Sequence, residues 1–118
     1  MLTSCSEVQN SNNDTYQNVD VETFKSLIEK KEGLLLDVRT FAEVKSGRIE
    51  GALNIDYHDA AFDEKLAQLD KSKPVLVYCA SGGRSGGAMS KMKDLGFSKV
   101  YNLNGGMGTW KSKGYPVK

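Results

Sequence analysis

Apolar positions along the chain fall into two kinds of run that alternate. Four runs are short and almost unbroken: LLLDV at 34–38, ALNI at 52–55, VLVYC at 75–79 and VYNL at 100–103. Each is too short for a helix, and the spacing predicts strands, the fully apolar ones covered on both faces. Between them, apolar residues recur every three or four positions. Val21, Phe24, Leu27 and Ile28 share one helical face, as do Phe62, Leu66 and Leu69, and Ala88, Met89, Met92 and Leu95. Met107 and Trp110 predict one last short helix. The punctuation agrees. Asp20 is an expected N-cap and Gly33 closes the first unit. Thr40 to Lys45 predicts a short helix stopped by Gly47, Ser85 an N-cap, and Gly96 a helix end. Strands alternating with helices through short connections predict an α/β domain with a mainly parallel sheet.

The chain has 118 residues, enough for one domain. Its formal net charge of +1 argues against a nucleic-acid partner, which would call for a basic stripe. No apolar run approaches the ~20 residues of a membrane span. Two cysteines, Cys5 and Cys79, and one histidine, His58, cannot make a four-ligand zinc site unaided, so no metal is expected. They also exclude a disulfide framework. Residues 1–18 are rich in Ser and Asn and have little to bury; they are expected to be a disordered leader, with the domain at 19–118. The stretch Leu2-Thr3-Ser4-Cys5 resembles the end of a bacterial lipoprotein signal, although no apolar segment precedes it. With an upstream segment, it implies a lipid anchor at Cys5 and a periplasmic or membrane-anchored protein. Without one, the expectation is cytoplasmic. With no heptad pattern or long apolar surface run, a monomer is expected.

Candidate chemistry concentrates after the strand that ends in Cys79. Ala80, Ser81, Gly82, Gly83, Arg84 and Ser85 follow. The two glycines allow positive φ, and such a turn can aim several N–H groups inward to bind an anion. A helix start adds free N–H groups and partial positive charge, and Arg84 adds a full one. Together they predict a Cys79 thiolate that is open to solvent, because such surroundings lower a thiol pKa from ~8.5. The competing reading is a strand-end cysteine that merely packs. There is no P-loop lysine here. His58 is expected at the surface rather than as a base for Cys79. The Cys79–Arg84 spacing is one residue short of the C-x5-R loop of cysteine phosphatases.

At this point the sequence resembles the rhodanese (sulfurtransferase) family. CASGGRS at 79–85 resembles its C-x-x-G-x-R-S loop. LLLDVRTFAEVKSGRIEGALNI at 34–55 resembles its D-V-R-x-x-x-E and G-H-I-x-G-A-x-N-I signature, with Arg48 in place of the usual His. LGFSKVYNLNGGMGTW at 95–110 resembles its C-terminal signature. The resemblance implies a five-stranded parallel sheet with helices on both faces. It also implies a Cys79 nucleophile that takes a sulfane sulfur from a small anion such as thiosulfate, or from a persulfide donor. A thiol or cyanide would then accept that sulfur, with no cofactor. The loop amides of residues 80–85 would bind the anion, Arg84 would hold the donor or orient the loop, and Asp37, Arg39 and Glu43 would form a structural ionic network tying loops together. A phosphatase or arsenate reductase on the same scaffold, and a non-catalytic binding module, are the alternatives. Gly86 and Gly87, where alanine-like residues are commoner, imply either a close approach by another segment or a mobile rim.

Overall fold

A computed structural model describes residues 15–118. Ten elements follow in chain order: β1 (Tyr16–Val19), α1 (Val21–Glu29), β2 (Leu34–Asp37), α2 (Phe41–Lys45), β3 (Leu53–Asn54), α3 (Phe62–Ala67), β4 (Val75–Tyr78), α4 (Gly83–Leu95), β5 (Val100–Leu103) and α5 (Gly106–Ser112). The five strands form one parallel sheet in the order β1-β5-β4-β2-β3.

Alternation along each strand sends neighbouring residues to opposite faces of the sheet. Leu36, Val75 and Val77 face a core closed by α3 and α4 through Phe62, Leu66, Ala88 and Met92. Leu35, Leu76, Tyr78 and Leu103 face a core closed by α1 and α5 through Phe24, Met107 and Trp110. Cys79 keeps the parity of Val75 and Val77, so it belongs to the α3/α4 side. Burying a large apolar side chain stabilises by roughly 1.5–3 kcal/mol, and both cores contain several. Trp110 is buried, and its indole N–H donates to the Pro116 carbonyl at 2.8 Å.

Three sequence expectations change. The leader was expected to reach residue 18, but Tyr16–Asn18 lie in β1, paired with Val100–Asn102 of β5. This strand is short and polar, and its order comes from backbone pairing along an edge, a partner no local pattern announces. Cys5, with the rest of residues 1–14 of the expected leader, lies outside the described residues. The strand foreseen over 52–55 shrinks to Leu53–Asn54 at the opposite edge. Ser85 is not an N-cap: the cap of α4 is Gly82, at φ 105°, and Ser85 sits inside the first turn. Asp20 caps α1 as expected, accepting from the Thr23 amide, and Thr40, not foreseen as a cap, accepts from the Glu43 amide at the start of α2. Among the described residues, no helix is long and apolar enough to cross a membrane, and no cluster of metal-ligating side chains occurs.

Candidate functional site around the Cys79 loop

In open parallel sheets, sites form beyond the carboxyl ends of the strands. β4 ends at Tyr78, and Cys79 follows at that end of the sheet. The chain then turns through Ala80, Ser81 and Gly82, and α4 begins at Gly83. Only Gly82 of the glycine pair takes positive φ. That one left-handed residue folds the start of α4 back over the sulfur. The Gly82 amide lies 3.1 Å from Cys79 Sγ, and the Ser85 amide and hydroxyl each lie 3.4 Å from it. These N–H and O–H groups donate to the sulfur.

Burial pushes the Cys79 thiol up, but the Ser85 hydroxyl and amide, then the Gly82 and Ser81 amides, pull it down. The balance lies below the ordinary thiol value. The sulfur is not open to solvent as expected, since Cys79 is only 1% exposed. The reason is geometric. The turn that supplies the donors also covers the atom it serves, and the α3/α4 core packs against its other side.

Further residues hold this turn from behind. The Met107 amide donates to the Cys79 carbonyl at 2.8 Å, and the Gly108 amide to the Ala80 carbonyl at 3.1 Å. This approach requires glycine at 106. A Cβ there would stand 2.5 Å from the Cys79 carbonyl oxygen, and the residue's φ is +58°. The Gly105–Gly106 turn thus docks α5 onto the Cys79 loop. Asn102 was missed altogether. Its side-chain amide donates to Asn18 Oδ1 at 2.8 Å and to the Gly82 carbonyl at 3.4 Å, from a buried position on β5. The available signal was one polar residue inside an otherwise apolar VYNL run. Its Oδ1 is buried without a hydrogen-bond partner.

The Asp37, Arg39 and Glu43 set divides. Asp37 and Arg39 are both buried and share a short ion pair, Nη2 to Oδ2 at 2.7 Å, with Nε also donating to the carboxylate. Arg39 further donates to the carbonyls of Gly47 at 2.7 Å and Glu43 at 3.3 Å, tying two loops together. The Glu43 carboxylate turns elsewhere. It receives both Arg84 nitrogens, at 2.8 and 2.9 Å, in the bidentate fork of an arginine–carboxylate pair. Arg84 and Thr40 hold this carboxyl down at about 2. Glu43 therefore joins the Cys79 loop through Arg84, rather than joining Asp37 and Arg39 as one network. Its backbone carbonyl stays with Arg39 while its carboxylate reaches across 41 positions of sequence.

The remaining candidates are placed as follows. No hydrogen bond from Ala80, Gly83 or Arg84 to the sulfur is described. His58 is exposed, with Nδ1 3.5 Å from Asp56. At Gly87, a Cβ would meet the Tyr57 hydroxyl at 2.4 Å, so a neighbouring segment does approach closely there. Gly86 faces the Asn102 amide, 3.7 Å from where its Cβ would be.

The model of the rhodanese-like domain matches residues 20–113, and the chain belongs to that family. It is 33% identical over 100 residues to a sulfurtransferase of Allochromatium vinosum, covering 84% of this chain and 92% of the relative. It is 36% identical over 86 residues to the thiosulfate sulfurtransferase GlpE of Coxiella burnetii, covering 73% and 78%. A tRNA uridine(34) hydroxylase of Cytophaga hutchinsonii is 34% identical over 96 residues, but the chain spans only 31% of that protein, so this domain also serves in proteins of other function. Among solved structures, a rhodanese-related protein of Thermoplasma volcanium superposes with a TM-score of 0.78 at 31% identity, covering 87% of this chain and 98% of that one.

Proposed function

We propose that this chain is a sulfurtransferase that carries a sulfane sulfur as a persulfide on Cys79. The observation that carries the reading is the sulfur's hydrogen-bond shell: three donors from Gly82 and Ser85 converge on it. Such a shell favours the anionic, nucleophilic form. The names of the sulfurtransferase relatives support the same reading.

In the first step, the Cys79 thiolate attacks the outer sulfur of a donor such as thiosulfate. A new S–S bond forms, the donor's S–S bond breaks, and its electron pair leaves on sulfite. Cys79 then bears a persulfide anion, whose outer sulfur would draw on the same loop amides. In the second step, a thiolate or cyanide attacks that outer sulfur, and the Cys79 thiolate is the leaving group. Charge balances in both steps, and neither needs an added oxidant or reductant. This is covalent catalysis that divides one transfer into two.

Mass spectrometry after incubation with thiosulfate tests the proposal. The wild-type chain gains one sulfur on Cys79, and Cys79→Ser gains none. No gain from any sulfane donor sinks the reading. One observation favours a second reading, a rhodanese-like binding module without catalysis: the sulfur is almost wholly buried. A thiol unreactive toward an alkylating agent at neutral pH would support that module instead.

A further inference from the structure

Arg84 is the cation nearest the Cys79 loop in sequence, and a free guanidinium there would attract any anionic donor. It is not free. Both of its described hydrogen bonds end on Glu43, one on each carboxylate oxygen. Glu43 is itself held in place: its Oε1 accepts from the Thr40 amide at 2.9 Å and from the Thr40 hydroxyl at 3.1 Å, closing a capping box on α2. The fork therefore belongs to the fold, not to one chance rotamer. Asp56 lies close enough for its field to reach Arg84 as well. The donors on the sulfur, by contrast, are all uncharged. Arg84 is thus a cation whose charge is countered by Glu43 in direct contact, with Asp56 and an ionised Cys79 also within reach of its field.

We propose that Glu43 is the specificity-determining residue of this site, neutralising Arg84 so that singly charged sulfane donors are favoured over doubly charged ones. The proposal rests on the sulfurtransferase reading above and names the donor class within it. Electrostatic energy scales with the ligand's charge. A group that repels a monoanion by some factor therefore repels a dianion, held at the same place, by about the square of that factor. Thiosulfate is the dianionic probe. Methanethiosulfonate, with a sulfinate leaving group in place of sulfite, presents the same outer sulfur with one charge fewer.

The test measures steady-state transfer to a thiol from both donors, in wild type and Glu43→Gln, at low and high salt. Glutamine preserves the capping box and a hydrogen bond to Arg84 while removing the charge. The expected result at low salt is a KM for thiosulfate lower by about tenfold and for methanethiosulfonate by about threefold, converging as salt screens the site. Asp56→Asn, on a different loop, shifts both donors in the same sense by less. Because a merely structural role for Glu43 would alter both donors alike, an equal response overturns the proposal. So does poorer use of thiosulfate by Glu43→Gln. If the wild type loads no sulfur on Cys79 from either donor, the sulfurtransferase reading itself is lost. Loading that occurs with unchanged donor preference removes only the role given to Glu43.

Discussion

Among the described residues, two arginine–carboxylate pairs lie in this domain, and their surroundings set them apart. Arg39 and Asp37 are sealed below the loops, their side chains 4% and 1% exposed. Arg84 and Glu43 sit at the rim of the Cys79 loop, 23% and 34% exposed. Arg39 also donates to the backbone carbonyls of Glu43 in α2 and Gly47 just beyond it, and its guanidinium lies 5.6 Å from the Tyr78 ring. The second pair links the helix that follows β2 to the helix that follows β4 and has water on one side. A buried charge that loses its partner has nowhere to go, whereas a rim charge that loses its partner turns to solvent. The buried pair is therefore committed to the fold, while the rim pair is available for adjusting the chemistry.

Stability measurements should show the largest contrast. Arg39→Met strands the Asp37 carboxylate in the interior and is expected to cost about 3–5 kcal/mol in urea denaturation. Arg84→Met should cost under about 1 kcal/mol. Similar losses for the two would erase the distinction. Activity should reverse the order of importance. Arg84→Met leaves Glu43 as an unpaired anion at the rim, so transfer from thiosulfate should fall by about tenfold, as a deficit of ~1.4 kcal/mol would produce. A variant that keeps full activity would make the rim pair merely structural.

The comparison sharpens when the thiol is read directly. The donors to Cys79 are neutral groups, so Ser85→Ala, which removes one of them, should raise the thiol pKa. Alkylation at neutral pH is expected to slow by about fivefold, the effect of one lost hydrogen bond of ~1 kcal/mol. Arg84→Met should slow it less. The opposite ranking would hand the thiolate's stabilisation back to the guanidinium.

Acid titration should give the smallest effect. Glu43 is lowered from 4.5 to about 2 in the folded state, so its contribution to stability is complete above pH 4.5 and disappears as pH falls toward 2. Partial exposure limits that contribution to less than about 1 kcal/mol. Comparing wild type with Glu43→Gln by denaturation across this range isolates it, and identical acid slopes would contradict the pairing.

Much of the architecture is legible one element at a time. The apolar runs that became β2, β4 and β5 carry both cores, and period and length alone separate them from the helices between. β1 is the exception, because Tyr16–Val19 has an ordinary polar composition and becomes a strand only by pairing with β5. The Cys79 loop is legible for a related reason. Its chemistry is local, with a strand end, a left-handed glycine and the first turn of a helix all falling within seven residues.

Glu43 in α2, Asn102 in β5 and Gly106 at the start of α5 reach the same loop from 20 residues or more away along the chain. Nothing in their own neighbourhoods shows that they meet it. Sequence by itself determined the alternation of strands and helices, the cap on Asp20, and the placing of one thiol where a turn can aim donors at it. These follow from steric and hydrogen-bonding preferences that act between near neighbours. The tertiary structure alone decided that the sulfur is covered, that Glu43 leaves Asp37 and Arg39 for Arg84, and that a polar edge segment completes the sheet. Those outcomes depend on which distant surfaces come together once the two faces of the sheet are buried.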